Sequence, residues 1–427
     1  MKSPFHHHPA STEARSSLAR RVRLILLAAL FASFLSTLMA WGATDDSGPV
    51  ATAVVYVESN RPDDNSILAY HRNAQGHLVL MGEYATGGKG VFDLSLKLGP
   101  FDSDQEVVSN PERTLLFAVN SGSDTVAVFK ILRSGALEQV SGSPFPSGGT
   151  NPVSVGFARD TLTVVNKAMD PARPDLATPS YVSFRVTPEG QLTAMLSSLP
   201  AAVGSSPTQA DLSPSRRLLF DAQFLGGHLA SFQLGSDGSL SASDLEGLPA
   251  SESVGGVKPL PLGLWSHPKH PILYVGFVTV NKVGVYTYDA TGQLKFRGTV
   301  HNSGQAVCWL RTNDQGTRLY TSNTADGSIS VYDTAHPLTP VEIQHLKLDG
   351  LGNTFQIELD PDGRFLYVVT QRASPSIPLG EGNTLHVLRI DDRTGRVSEF
   401  QSVRLPVAAG VRPQGLAVVQ PLAEASR

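Results

Sequence analysis

The chain has 427 residues, enough for two or three average domains or for one large all-β domain. Charged residues make up only 17% of it, whereas Gly (39) and Pro (29) are abundant, which argues against a protein dominated by long amphipathic helices. A net charge of −4 excludes the basic character of nucleic-acid-binding proteins, and the single cysteine, Cys308, excludes an intrachain disulfide.

The first 43 residues differ from the rest. Four arginines precede an apolar run at residues 24–40, and three small residues follow (Arg15, Arg20, Arg21 and Arg23; Ala40, Gly42 and Ala43). This order predicts a secretory signal peptide and export to the periplasm or the extracellular space, with an uncleaved membrane anchor as the alternative. The segment has a net charge of +4, so the rest has about −8, and we expect no nucleic-acid partner.

After a linker at residues 44–52, one pattern recurs with a period of roughly 45 to 55 residues, which is typical of propeller blades. Each copy has a strand, a tight turn such as "SPSR" or "DPDG", a second strand rich in Leu, Tyr and Val, a polar loop and a third strand. Most copies end with a fourth strand. In chain order, the copies begin at Val108, Gly156, Asp211, Trp265, Arg311 and Glu358.

A seventh unit begins at "VVYVESN" (54–60) and lacks its own first strand, which the C-terminal "RPQGLAVV" (412–419) can supply. A terminal strand of this kind closes the ring and removes free sheet edges. We therefore predict an all-β protein, a seven-bladed β-propeller of four-stranded blades over residues 53–420, with a tail at 421–427. Two packed sandwiches would need a chain break that the even spacing does not show.

The repeats "DPDGRFLYV" and "NSGSDTVAVF" resemble those of the seven-bladed lactonase family, typified by bacterial 6-phosphogluconolactonase and fungal muconate-lactonising enzymes. The stretches "NPVSVGF" (151–157) and "GQAVCWL" (304–310) are similar to its exported, mostly unassigned branch. The resemblance covers residues 54 to 419. It implies an exported hydrolase of a lactone or a cyclic sugar acid.

Two elements of the better-known enzymes are missing. Those enzymes carry a His after Pro in one first strand and an Arg-His pair in the next. This chain has Pro207-Thr208-Gln209 and Pro261-Leu262-Gly263 at those places. The departure argues against lactone hydrolysis by the mechanism proposed for the family.

First strands line the central channel of a propeller, and their side chains alternate between the channel and the blade interior. Counting back from each tight turn places mostly apolar residues in one register and polar or aromatic residues in the other. The second register, predicted to face the channel, contains Glu106, Gln209, Asp211, Trp265, Trp309, Arg311, Gln356 and Glu358.

These residue types suggest a catalytic site. Glu358 or Asp211 could act as general base or acid, and Arg311 could stabilise a developing oxyanion. Trp265 and Trp309 could stack on a sugar or lactone ring, while the glutamines orient it.

Three other interpretations stay open. The channel residues could satisfy one another and bound water without any chemistry. They could bind a polar ligand, a polysaccharide or a protein partner without turnover. Converging carboxylates could also hold calcium, which takes oxygen ligands. We predict no other cofactor.

The loops after the second strands are expected to form the rim of the site, on the face where the first strands begin. They carry Lys167, Gln371 and Arg372, and the loops starting at Asn166 and Thr370 are long. We expect a monomer that binds a small polar or sugar-like ligand there. Cys308 is predicted to be a buried thiol, packed as a small apolar residue.

Overall fold

A computed structural model describes residues 53–96, 102–173 and 177–421. Within these ranges the regular structure is almost entirely β, in seven antiparallel sheets that follow one another along the chain and form the blades of a propeller. The predicted signal peptide and linker lie outside the described residues, as do residues 422–427.

The first three blades contain strands β1 to β12. Blade 1 has β1 (Ala53–Glu58), β2 (Ser66–Arg72) and β3 (Leu78–Ala85). Blade 2 has β4 (Val107–Ser109), β5 (Leu115–Asn120), β6 (Thr125–Ile131) and β7 (Leu137–Gln139), and β8 (Phe145–Pro146) pairs with β6. Blade 3 has β9 (Pro152–Ala158), β10 (Thr161–Asn166), β11 (Ser180–Val186) and β12 (Leu192–Pro200). The remaining strand of blade 1 comes from the end of the chain.

The last four blades repeat the same order. Blade 4 has β13 (Asp211–Leu212), β14 (Leu218–Gln223), β15 (His228–Leu234) and β16 (Leu240–Gly247), followed by a 3-10 turn at Ala250–Glu252. Blade 5 has β17 (Pro261–Ser266), β18 (Ile272–Phe277), β19 (Lys282–Tyr288) and β20 (Leu294–His301). Blade 6 has β21 (Val307–Thr312), β22 (Arg318–Asn323), β23 (Ser328–Asp333) and β24 (Val341–Lys347). Blade 7 has β25 (Asn353–Leu359), β26 (Phe365–Gln371), β27 (Thr384–Ile390) and β28 (Val397–Arg404).

Strand β29 (Gln414–Val419) closes the ring. It pairs antiparallel with β1, so the sheet order of blade 1 is β29-β1-β2-β3. The seven-bladed fold and its closure by the C-terminal strand are therefore confirmed.

Apolar side chains from neighbouring blades form the core. One cluster joins blades 2 and 3 through residues such as Phe117, Val128 and Phe157, and another joins blades 6 and 7 through Val331 and Leu366. Second and third strands are buried on both faces, which explains their continuous Leu, Val and Tyr runs, whereas fourth strands alternate between buried and exposed residues. The repeated sequence pattern thus reflects the packing of apolar side chains between blades.

The inner strands of blades 5, 6 and 7 share an irregularity. In β21, Leu310 pairs with Thr321 and Val307 with Asn323, so Cys308 and Trp309 together oppose the single residue between them. Equivalent shifts occur in β17 and β25. Such bulges interrupt the simple alternation of side chains.

Among the residues that the structure describes, no helix is long and apolar enough to cross a membrane.

Gly415 is required by the closing strand. Its φ is +72°, and a Cβ there would lie 2.9 Å from Val107 Cγ2 and 3.0 Å from Glu106 Cβ. We expect Gly415→Ala to lower the free energy of unfolding by roughly 2–4 kcal/mol, since it adds steric overlap to the cost of the left-handed backbone. Urea unfolding measures the loss.

Gly363→Ala is the matched control, because Gly363 has a φ of +69° but no atom within 4 Å of the added Cβ. It should lose only about 1–2 kcal/mol, the backbone cost alone. Equal losses for the two variants would show that close packing at the ring closure is unimportant.

Candidate functional site

The channel is partly filled by the chain itself. Residues 102–106, between blades 1 and 2, are bonded to several blades around the ring. The Asp104 amide donates to the Thr208 carbonyl (3.2 Å), and the Val155 amide donates to the Gln105 carbonyl (2.9 Å). Lys167 Nζ donates to the Asp102 carbonyl (2.5 Å). We call residues 102–106 the channel segment.

Arg311, on β21, holds the channel segment from the other side. Its Nη1 lies 2.6 Å from Asp104 Oδ2 and its Nη2 lies 3.1 Å from Asp104 Oδ1, a bidentate pair with both side chains 2% exposed. Its Nε donates to Glu358 Oε2 (2.9 Å), and its guanidinium lies 4.1 Å from the Trp265 ring centroid. This cation therefore meets two carboxylates and an aromatic face.

The surroundings of Arg311 fix its charge but leave it few free donors. Burial alone would lower the pKa of the guanidinium, yet Asp104 and Glu358 raise it above its ordinary value. Four of its five N–H groups are used, since Nη1 also donates to the Leu310 carbonyl (2.8 Å). The predicted oxyanion clamp is thus mostly engaged inside the protein.

A cavity of about 390 Å³ lies at the end of the channel where tight turns join first and second strands. We call it the turn-face cavity. Four predicted site residues line it: Asp211, Trp265, Arg311 and Glu358. Turn residues such as Pro214, Pro268 and Asn313 complete its wall. The structure thus brings the predicted catalytic trio and one indole together.

Asp211 is the buried acid of this cavity. Its Oδ2 accepts hydrogen bonds from the Ser266 hydroxyl and the Ser266 amide (3.1 Å), while in the described part of the chain Oδ1 accepts none. Burial raises the pKa of Asp211 to about 7, although Ser266 and Arg311 oppose the shift. Asp211 can therefore exchange a proton near neutral pH.

Glu358 is the more accessible acid. Its side chain is 27% exposed and is bonded to Arg311. Burial raises its pKa, and the positive charge of Arg311 limits the rise. Two carboxyl groups in different surroundings thus share one cavity, as acid–base chemistry requires.

The structure places the residues predicted to form the rim away from the turn-face cavity. The turn-face cavity lies at the opposite end of the channel from the loops that follow the second strands, so Lys167, Gln371 and Arg372 do not line it. Lys167 binds the channel segment, and burial lowers its pKa to about 8. Gln371 Oε1 accepts from Arg412 Nε (2.6 Å), and Arg372 Nε donates to the Ile377 carbonyl (2.8 Å).

Glu106 belongs to the channel segment, and Gln209 and Gln356 form hydrogen bonds with that segment. None of the three lines the turn-face cavity. Gln209 Nε2 donates to Gln105 Oε1 (3.1 Å), and Gln209 Oε1 accepts from the Leu264 amide (3.0 Å). Gln356 Nε2 donates to Glu106 Oε1 (2.8 Å). Burial, with a contribution from Asp104, raises the pKa of Glu106 to about 8.

Trp309 does not form the predicted stacking platform. It is fully buried in an apolar cluster with Phe224, Leu262, Cys308 and Phe355. Its position inside the bulge of β21 explains the error, because counting by twos from the turn fails there. The buried thiol of Cys308 is confirmed, and burial raises its pKa to about 12.

The sequence reasoning missed Asp104, Ser266 and Arg216. Asp104 lies in a segment without strand character, so no register pointed to it. Ser266 ends β17 and Arg216 lies in a tight turn, and both fall outside the residues counted in the channel register. The proline- and polar-rich turns were the signal available, since they border the cavity.

The calcium expectation finds no support at this cavity. Across residues 53–96, 102–173 and 177–421, no group of three or more His, Cys, Asp or Glu side chains is arranged to hold a metal ion. Arg311 supplies the positive charge between Asp104 and Glu358.

Comparisons with protein-family models and with curated proteins found no match. The chain is similar in fold to a number of solved structures. They include a candidate 6-phosphogluconolactonase from Bacteroides uniformis ATCC 8492 (16% identity, 87% of this chain and 100% of that chain, TM-score 0.66). Another from Bacteroides fragilis NCTC 9343 has 14% identity over 88% of this chain and 100% of its own, with a TM-score of 0.66. The periplasmic gluconolactonase of Pseudomonas aeruginosa has 17% identity over 86% of this chain and 99% of its own, with a TM-score of 0.65. The resemblance to lactonase propellers is thus confirmed at the level of the fold.

Removing Arg311 should destabilise the protein strongly. Arg311→Met leaves Asp104 buried without its cation, and we expect a loss of about 3–5 kcal/mol in the free energy of unfolding. Urea unfolding of Arg311→Met, Asp104→Asn and the double variant measures the coupling between the two residues. If the single losses simply add in the double variant, the pair does not hold the channel segment.

Proposed function

We propose that the protein is an exported, monomeric hydrolase of an unphosphorylated lactone or cyclic sugar acid, acting in the turn-face cavity. The observation that carries the proposal is the presence of Asp211, whose pKa is about 7, beside Glu358 and the Trp265 ring in one cavity. The similarity in fold to a periplasmic gluconolactonase supports it. The apolar N-terminal run supports export.

Asp211 is suited to be the general base. In its ionised form it takes a proton from a water molecule, and the resulting hydroxide attacks the lactone carbonyl. The tetrahedral intermediate collapses, the ring C–O bond breaks, and the proton passes from Asp211 to the departing ring oxygen. One water is consumed, and the product is a hydroxy acid.

Positive charge for the developing oxyanion comes from the remaining N–H of Arg311 and from Arg216, which also lines the cavity. Trp265 offers an aromatic face on which a sugar ring can stack. Its Nε1 donates to Thr312 Oγ1 (3.2 Å), which holds the indole in place.

The charges of the cavity favour an unphosphorylated substrate. Asp211, Asp314 and Glu358 line it, and the cations are Arg216 and Arg311. Since Arg311 is paired with Asp104 and Glu358, little positive charge is left for a phosphate group. A neutral lactone avoids this repulsion.

A second candidate is binding of a sugar-like ligand without turnover. The engagement of four Arg311 N–H groups favours it, as does the absence of the His and Arg-His elements of the better-known enzymes. The same cavity would serve both functions.

Lactone hydrolysis should depend on Asp211. We expect purified mature protein to open glucono-lactones at a rate that rises from pH 6 to 8 with a midpoint near 7, because the base must be ionised. Asp211→Asn should lower kcat by roughly 10²–10⁴-fold. A pH-stat assay measures both.

Glu342→Gln is the control, since Glu342 lies on the outermost strand of blade 6 and should leave the rate unchanged. Equal rates for wild type and Asp211→Asn would refute the hydrolase. Ligand-dependent stabilisation of a wild-type protein with no activity would instead establish the second candidate.

A further inference from the structure

A second polar cluster lies where blades 7, 1 and 2 meet, and none of its residues lines the turn-face cavity. It consists of Glu58, Glu106, Gln356 and Gln414, each 0% exposed. Glu58 ends β1 and pairs across the sheet with Gln414, the first residue of β29. Glu106 immediately precedes β4, and Gln356 lies in the bulge of β25. We call this group the closure cluster.

Short distances link Gln356, Glu106 and Glu58. Gln356 Nε2 lies 2.8 Å from Glu106 Oε1. A Cβ on Gly415 would lie 3.0 Å from Glu106 Cβ and 3.4 Å from Glu58 Oε2, so both glutamates flank the same point of β29. Gln414 pairs with Glu58 across the sheet, at a bulge that leaves Gly415 as the extra residue of β29.

Three of the eight polar side-chain atoms in the closure cluster have partners. Glu58 Oε1 accepts from Asn65 Nδ2 (2.6 Å), and Glu106 Oε1 also accepts from Ser103 Oγ (3.0 Å). Within the described residues, Glu58 Oε2, Glu106 Oε2, Gln356 Oε1 and both amide atoms of Gln414 have no hydrogen-bond partner in the protein. Buried polar atoms rarely lack hydrogen-bond partners, because each unpartnered atom lowers the free energy of unfolding.

The unpartnered atoms are mainly oxygens. They are two carboxylate and two carboxamide oxygens, and an amide presents one oxygen whichever way it is turned. No nearby cation donates to the glutamates in the described structure, because Arg311 is bound to Asp104 and Glu358, and Lys167 donates to the Asp102 carbonyl. Two carboxylates with amide oxygens suit a divalent hard cation, and calcium tolerates irregular geometry better than magnesium does.

We propose that the closure cluster binds one calcium ion, held by Glu58 and Glu106 with the amide oxygens of Gln356 and Gln414. The ion joins β1, β29, β25 and the segment before β4, so it stabilises the closure of the ring. The site shares Glu106 with the channel carboxylates considered for calcium from the sequence, but Asp211 and Glu358 take no part in it. It is also independent of the proposed hydrolase activity.

Metal analysis and thermal unfolding test the proposal. We expect purified mature protein, equilibrated with calcium and desalted, to retain about one calcium per chain. After treatment with EGTA, millimolar CaCl₂ should raise Tm by roughly 3 °C or more, and equimolar MgCl₂ should raise it much less. Absence of bound calcium together with an unchanged Tm would overturn the proposal and point to buried water as the partner of these atoms.

Two variants locate the site. Glu58→Gln should lose the bound calcium and the calcium-dependent rise in Tm. Gln414→Leu should lose both as well, yet remain at least as stable as wild type in EGTA, because it removes two unpartnered buried atoms.

Glu358→Gln is the control, since it removes a carboxylate of the same channel outside the closure cluster and should keep the calcium response. A calcium-dependent rise in Tm that persists in both Glu58→Gln and Gln414→Leu would overturn the assignment.

Discussion

The buried ion pair between Arg311 and Asp104 determines which end of the channel is available. It joins an inner strand of blade 6 to a segment between blades 1 and 2 that runs across the channel. A buried pair of this kind costs desolvation and contributes little net stability. We interpret its role as positional: with the channel segment fixed, side chains near the starts of the first strands contact other parts of the protein, and the turn-face cavity lies where the tight turns meet.

The fold could be predicted because each blade repeats the same local sequence pattern. Each blade shows two buried strands and a turn at a fixed spacing. The unit that begins at Val54 lacks a first strand, and residues 412–419 supply it. The site was predictable only where strand alternation is regular. Asp211, Trp265, Arg311 and Glu358 lie next to the tight turns, beyond any bulge, and line one cavity. Trp309 lies within a bulge, and Asp104 lies in a loop whose position depends on contacts with distant blades, which no local pattern encodes.

The channel therefore contains carboxyl groups in two different electrostatic settings. Around the turn-face cavity, Arg311 pairs with Asp104 and Glu358 and limits the rise in the pKa of Glu358, and burial raises the pKa of Asp211 to about 7. In the closure cluster, Glu58 and Glu106 have amide and hydroxyl partners, and burial raises the pKa of both. The first setting can move a proton during a reaction, whereas the second suits a resident cation. The proposed hydrolase depends on the first setting, and the proposed calcium site depends on the second.

The residues that replace the familiar lactonase elements explain this division. Thr208 stands where the better-known enzymes carry His, and its hydroxyl bonds to the Ala222 and Leu262 carbonyls while its own carbonyl accepts from the Asp104 amide. Gln209 binds Gln105 and the Leu264 amide, and a Cβ on Gly263 would lie 2.2 Å from the Cys308 carbonyl oxygen. These positions now hold the channel segment and pack inner strands together. Because the residues at these positions are engaged in holding the channel segment and packing the strands, the proposed hydrolysis relies on the carboxyl groups beside the turns.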